Sequence, residues 1–319
     1  MTTTDTRPEG LPLLLEEVVV VSATRLSPSF VRVELGSPGL AELGVDGSWL
    51  DQRIKLVFPC DDGSLPQLAA AGGEWWEVRQ ALPEEQRGSM RTYSVRDVRD
   101  RGPDRLLVVD IVVHEPGPGG AAGPGNRWAL AAVPGSRVLV LAPRRGHEFG
   151  GREFAPAPSD RLLLAADETA VPAVAGILRD LGPDVVGTAL LEVPESADVQ
   201  ELPGPVGVEV VWLPRDGAPR GERLHAATVA RMGLDLDDPP EVADTEVDDN
   251  LWETPAFSSS GEEVEAPNVV AAADGFYAWI AGESKVVTAL RRHLVRDRGV
   301  DRRQVAFMGY WREGVPMRG

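Results

Sequence analysis

Through the first half of the chain, apolar and β-branched positions come in short alternating or unbroken runs, at residues 18–24, 30–35, 53–58, 91–97, 105–113 and 137–142, each bounded by Gly, Pro or Ser. Runs of this length and make-up predict β-strands. Only one helix interrupts them, from Asn126 to Val133. Many strands with one helix are most economically arranged as an all-β antiparallel barrel of the Greek-key type.

The rhythm changes after Ala155-Pro156-Ala157-Pro158-Ser159, a stretch with no face to bury that reads as a linker. Arg161 to Ala166 is a buried-strand run, and Pro172 to Leu181 carries apolar residues at 174, 177, 178 and 181, the spacing of one helix face. Strands at 185–193, 208–213, 276–281 and 304–310 alternate with helices at 222–231 and 284–297. This alternation predicts an α/β domain with a parallel sheet between helices. Two domains are expected, 1–154 and 160–319. From Met232 to Ser284 there is no Lys or Arg, and an acidic insertion is expected at about 233–272. It is either a solvated excursion or a flap pinned by Leu251, Trp252 and Phe257.

Composition narrows the chemistry. The 319 residues are 43% hydrophobic and 26% charged, as in an ordinary globular protein. A formal net charge of −18 repels nucleic acid and anionic membranes, so neither is expected as a partner. One cysteine, Cys60, excludes an intramolecular disulfide, a four-thiolate iron–sulfur cluster and a Cys-rich metal site. Electron chemistry would need an organic cofactor. The start, Met1 to Pro8, has no signal-peptide pattern and no apolar run approaches the length of a membrane span, which points to the cytoplasm.

The run Arg91-Thr92-Tyr93-Ser94 lies on a strand, so Arg91 and Tyr93 share one face and Thr92 and Ser94 the other. A guanidinium grips a pyrophosphate, an aromatic ring lies against an isoalloxazine, and a hydroxyl or N–H bonds the ring edge. Downstream, His114 ends a strand, and a loop with Gly117, Gly119, Gly120, Gly123 and Gly125 opens into the helix starting at Asn126-Arg127-Trp128, a ready anion site. In the second half no Gly-x-Gly-x-x-Gly follows the first strand; Asp167-Glu168-Thr169-Ala170-Val171-Pro172 stands there instead. Those carboxylates suit a helix N-terminus as simple caps. Arg215, at the end of strand 208–213, is a candidate for the adenosine end of a dinucleotide and its 2′-phosphate, or an ordinary solvated arginine.

In order and spacing these pieces resemble the siderophore-interacting protein family of FAD-dependent reductases related to ferredoxin-NADP reductases. The resemblance runs through Met90 to Arg96, His114 with Gly123 to Ala129, Pro134-Gly135, Ala166 to Ala173, Trp212 to Arg215, Trp279 to Glu283 and Gly309 to Gly314. It implies that Arg91, Thr92, Tyr93 and Ser94 form the flavin strand and that His114, Gly125, Asn126, Arg127 and Trp128 surround the pyrophosphate. It further implies that Asp167, Glu168, Thr169, Gly282 and Glu283 face flavin and nicotinamide at a domain interface, with Tyr310 and Trp311 an aromatic pair near the flavin. The family carries a small hydroxyl residue where Asn126 stands and a shorter loop than Glu115 to Ala122.

The implied activity is reduction of a ferric siderophore by NADPH or NADH through FAD, in a monomer, with ferredoxin an alternative electron donor. No protein side chain need act as catalytic acid, base or nucleophile, and no metal site is expected. Two alternatives stay open: a general flavin reductase or ferredoxin-type electron-transfer flavoprotein, and a non-catalytic siderophore-binding flavoprotein. A bulky anionic chelate would need a basic rim, for which Arg144, Arg145, Arg220, Arg223, Arg291 and Arg292 are available.

Overall fold

The computed structural model describes residues 12–101, 104–114, 123–156, 161–233, 242–244, 247, 251–254, 257–258 and 276–315. The chain divides near Arg152 into two compact units. The first contains β1 (Leu13–Ser27), β2 (Phe30–Gly36), β3 (Arg53–Phe58), α1 (Trp75–Ala81), β4 (Ser89–Ser94), β5 (Asp97–Arg101), β6 (Asp104–Val112), α2 (Pro124–Ala131) and β7 (Arg137–Pro143). Its seven strands form one sheet in the order β4-β3-β7-β1-β2-β6-β5. Alternation fills the inside: Val33 and Leu35, Leu107, Val109 and Ile111, and Val138 and Val140 all join one core with Leu56 and Phe58.

The single strand expected over 91–97 is two. At Val95 and Arg96 the backbone changes partners, Val95 N–H donating to the Gln52 carbonyl and Arg96 N–H to that of Val108. Only these two residues separate β4 from β5, the opposite edges of the sheet, so the chain itself closes the barrel.

The second unit holds β8 (Arg161–Ala166), α3 (Val171–Asp180), β9 (Gly187–Val193), β10 (Val208–Pro214), α4 (Glu222–Arg231), β11 (Trp252–Thr254), β12 (Phe257–Ser258), β13 (Phe276–Glu283), α5 (Ser284–Arg291) and β14 (Val305–Trp311). Strand order is β10-β9-β8-β13-β14-β11-β12, with β10 through β14 parallel and β11 and β12 added antiparallel. The helix expected over 284–297 is α5 continued by a π-helix at Arg292–Asp297. Because β8 has β9 on one side and β13 on the other, the connection reverses there, and the crevice beyond the carboxyl ends of β8 and β13 is where sheets of this kind bind ligands.

Part of the acidic segment is structural. β11 pairs with β14, the Leu251 carbonyl accepts from Gly309 N–H at 2.8 Å, Leu251 is buried in the core, and Trp252 stacks on Tyr310 at 5.8 Å with an interplanar angle of 5°.

Candidate functional site

In the first unit, β3 and β4 run antiparallel with Tyr93 opposite Ile54, Thr92 opposite Lys55 and Arg91 opposite Leu56. Tyr93 meets Phe58 edge-on at 6.0 Å, and Phe58 meets Trp128 of α2 at 5.3 Å. The close approach depends on Gly125: a Cβ there would lie 2.3 Å from the Tyr93 hydroxyl and 3.1 Å from the Phe58 ring. Burial pushes the Tyr93 phenol well above its ordinary pKa, so it stays neutral.

Arg91 is half-buried and donates only to its neighbour's carbonyl, Met90 O, at 2.7 Å. No carboxylate pairs with it among the described residues, and burial lowers its pKa. A partly desolvated, uncompensated guanidinium is what an anionic group would satisfy. Beside it, α2 begins at Pro124 with Gly123 as N-cap and no side-chain cap bond among the described residues. The helix thus begins two residues before the expected Asn126, which falls inside the first turn and does not cap it; its Nδ2 donates to the His114 carbonyl and its Oδ1 is buried without a partner among the described residues. Pro at the first helical position displaces the cap upstream. The uncapped first turn and an orphaned acceptor suit a phosphate and a sugar hydroxyl respectively.

Of the other flavin-site candidates, Ser94 is buried at the end of β4 and His114 is half-buried just beyond β6. Arg127 is exposed, 3.8 Å from Asp61. Trp128 packs on Phe58 and donates from Nε1 to the Arg137 carbonyl at 3.2 Å, a packing role. Gly117, Gly119 and Gly120 lie outside the described residues.

On the other face of the same strands, Arg53, Lys55 and Thr92 line a cavity of about 280 Å³ with Trp75 and Phe149. Lys55 Nζ donates to Thr92 Oγ1 at 3.2 Å and meets no carboxylate among the described residues. Burial, then Arg53 and Arg79, lower its pKa. Lys55 stands in no motif; its alternation with Arg53 on a strand sets two cations on one face.

In the second unit, the residues beyond β8 and β13 come together as a buried polar frame. Asp167 Oδ1 accepts from Thr169 N–H and Oγ1 at 2.9 and 2.6 Å, while its Oδ2 accepts from Glu283 N–H at 2.7 Å and Trp311 Nε1 at 2.8 Å. Gly282 permits this, since a Cβ there would sit 2.7 Å from the Asp167 carboxylate. Glu283 caps α5 by accepting from Lys285 and Val286 N–H at 2.7 and 3.1 Å. Burial, then the charge of Glu168, push the Asp167 carboxyl up to about 7.

Arg215 is not presented to a ligand as an adenosine-site arginine would be. It is 8% exposed and grips Glu168 at 2.9 and 3.2 Å and Glu192 at 3.3 Å; Glu192 in turn accepts from Gly221 and Leu224 N–H, anchoring the start of α4. Two buried carboxylates would be left uncompensated without it, which is why it turns inward. Asp167, Glu168 and Glu283 likewise direct their carboxylates into the protein and position the loops that carry them. Tyr310 and Trp311 do not act as a pair: Tyr310 lies between Trp252 and Trp279, whereas Trp311 hydrogen-bonds Asp167 and carries the Arg220 guanidinium 4.6 Å above its ring.

A cavity of about 1020 Å³ lies against the N-terminal ends of α4 and α5. Its polar lining mixes the cations Arg220, Lys285 and Arg312 with the carboxylates Glu222, Asp244, Glu283 and Glu313, Arg220 pairing with Glu313 at 2.8 Å and Lys285 with Asp244 at 3.0 Å, and Val242, Val286 and Ala289 form a less polar wall. Of the other expected rim arginines, Arg144 pairs with Glu42 at 3.0 Å, Arg291 with Glu253 at 2.6 Å, and Arg223 donates to the Pro214 carbonyl.

Two family models cover most of the chain: the siderophore-interacting FAD-binding domain matches residues 19–147, and the siderophore-interacting protein model residues 159–314. An uncharacterized protein of Mycobacterium tuberculosis is 35% identical over 96% of this chain and 92% of its own length. Ferric vibriobactin reductase of Vibrio cholerae is 26% identical, with 91% of this chain and 86% of that protein covered. NADPH-dependent ferric-chelate reductase of Escherichia coli is 26% identical over 94% and 93% respectively. The crystal structure of a siderophore utilization protein from T. fusca superposes with a TM-score of 0.63 at 31% identity, covering 97% of this chain and 96% of that one. The chain belongs to the siderophore-interacting protein family.

Proposed function

We propose that this protein reduces the ferric iron of a siderophore with electrons from NADPH, through FAD, in the cytoplasm. The observation that carries the reading is the uncompensated, half-buried Arg91 beside the uncapped N-terminus of α2, in a unit that matches an FAD-binding domain. Arg91 and the first-turn N–H groups of α2 would hold the pyrophosphate, Tyr93 would border the ring system, and the orphaned Asn126 Oδ1 would accept from a sugar hydroxyl. FAD held there would supply the conversion between two-electron hydride transfer from a nicotinamide and one-electron transfer to Fe(III). Hard oxygen ligands hold Fe(II) less tightly, so reduction favours release.

Arg53 and Lys55 give the small cavity a cationic wall suited to the carboxylate, catecholate or hydroxamate oxygens of such a chelate. In the second unit, Arg220, Lys285 and Arg312 of the large cavity take the adenosine-phosphate role that Arg215 does not fill. The names of the Vibrio and Escherichia relatives support both the ferric substrate and the NADPH donor.

The test is an anaerobic titration of the FAD-loaded protein with NADPH, then addition of a ferric siderophore in the presence of a ferrous-iron trap. The expected result is bleaching of the flavin bands, their return on adding the chelate, and trapped Fe(II). Failure to take up FAD, or flavin that NADPH does not bleach, overturns the reading. Faster turnover with free flavin or ferredoxin than with the chelate would instead select a general reductase.

A further inference from the structure

The helix α1 leads into the strand of Arg91 and carries a second arginine, Arg79, whose charge no described residue meets. Trp75, Val78 and the C-cap Leu82 share one face and pack on a cluster that includes Val57 of β3 and Met90 of β4. This packing sets Arg79 beside the start of β4, where its Nη2 reaches the Gly88 carbonyl at 3.4 Å. That contact is longer than an ordinary hydrogen bond, yet Arg79 is only 8% exposed, its Nε is buried without a partner among the described residues, and the Trp76 ring lies 5.7 Å away. Arg87 is held quite differently: its Nε and Nη2 donate to the Leu82 and Gln80 carbonyls at 2.7 and 2.8 Å and tie down the end of α1. Burial, then the charges of Arg87 and Arg91, lower the Arg79 pKa, so like charges stand close enough to repel it. Keeping a guanidinium dry beside another without a counter-charge is costly, and an anion between Arg79 and Arg91 relieves both. The Arg79 charge also reaches Lys55, but Arg79 does not line the Lys55 cavity, which leaves the Arg91 side for its anion.

We propose that Arg79 is a second cation on the diphosphate of FAD, with Arg91 and the first turn of α2 on one phosphate and Arg79 on the other. The assignment rests on the reading that Arg91 lies in an FAD site. It makes Arg79 a determinant of cofactor choice: FMN has a single phosphate, which Arg91 and α2 take, so Arg79 acts on the dinucleotide alone.

The probes are FAD, FMN and riboflavin, each titrated into the flavin-free, full-length protein and followed by fluorescence. Arg79→Met keeps the apolar stem and removes the charge. It should weaken FAD about tenfold, the loss of one charge-assisted hydrogen bond, and leave FMN and riboflavin within about twofold. Arg79→Lys should recover part of the loss. The phosphorus NMR signals of bound FAD should shift in Arg79→Met, a change that a purely structural role does not produce. Unchanged FAD affinity, or an equal loss for FAD and riboflavin, overturns the proposal. If the Met variant does not fold, the unsubstituted protein decides: FAD should lose affinity more steeply than FMN as salt is added, because two cations and not one are screened, and equal slopes overturn it. The underlying reading fails separately, if Arg91→Ala leaves the affinity for all three flavins unchanged.

Discussion

In the proposed FAD site, Arg91 and Gly125 would act through different physics. Arg91→Ala removes a charge-assisted contact worth about 1.5–3 kcal/mol, so the dissociation constant for FAD should rise roughly ten- to a hundredfold by fluorescence titration. Gly125→Ala places a methyl 2.3 Å from the Tyr93 hydroxyl, and overpacking of this kind costs about 1–3 kcal/mol in urea unfolding. Adding Tyr93→Phe removes the clashing oxygen and should restore part of that loss, whereas a purely conformational cost at Gly125 would leave it unchanged. Two buried groups titrate with opposite sign. Asp167, raised to about 7, keeps in the native state a proton that the unfolded chain releases near pH 4, so its contribution to stability is lost as pH rises through that window. His225, lowered to about 4, is protonated first in the unfolded chain, so its contribution is lost as pH falls from about 6.5. Between pH 4.5 and 7 the two partly cancel. Urea midpoints should therefore climb more steeply with pH in Asp167→Asn than in the parent, and fall more steeply in His225→Leu.

Among the elements, the acidic segment has the least expected role. Its total lack of Lys and Arg gives no periodicity to read, yet residues Trp252–Thr254 form β11 because β14 offers an open edge and Tyr310 offers a ring to stack on. Trp252→Ala should lower the unfolding free energy by about 1–3 kcal/mol, the cost of stripping a half-buried aromatic from a sheet edge, without altering FAD affinity. A variant that loses flavin as readily as Arg91→Ala would show that β11 matters to more than its own sheet. The strands Phe30–Gly36 and Asp104–Val112 were legible because apolar residues hold one face, Val31, Val33 and Leu35 in the first and Leu107, Val109 and Ile111 in the second. The break between Ser94 and Asp97 was not, since it is imposed by the partners at Gln52 and Val108 and not by any residue within the run. That Arg91 to Ser94 lie on a strand was legible for a related reason, since their alternation is that of a strand and a strand is what the chain forms there. Arg215 was misread because exposure had to be guessed, and the two carboxylates that bury it lie on other strands' ends, at positions 168 and 192. Lys55 stands in no motif, and only the cavity it lines singles it out.

For the whole molecule the net charge of −18 sets a long-range field that opposes the approach of both NADPH and an anionic ferric chelate. The cations that counter it are few and local: Arg220, Lys285 and Arg312 at one cavity, Arg53 and Lys55 at the other. Those at the large cavity also have acidic neighbours, Arg220 pairing with Glu313 and Lys285 with Asp244. Interactions beyond a Debye length are screened, and that length shrinks from about 30 Å at 0.01 M salt to about 8 Å at 0.15 M, so added salt cancels the net-charge repulsion felt at a distance while the cations close to the ligand still act on it. Raising the salt therefore removes the repulsion first. The second-order rate of flavin reduction by NADPH, followed by stopped flow, should rise about two- to fivefold between these salt concentrations, while equilibrium affinity for adenosine 2′,5′-bisphosphate falls as the short-range contacts are screened. A rate that falls with salt would mean that the cavity cations already govern the approach at long range. Arg312→Ala should then flatten the salt dependence, whereas under the repulsive field it would leave the slope positive.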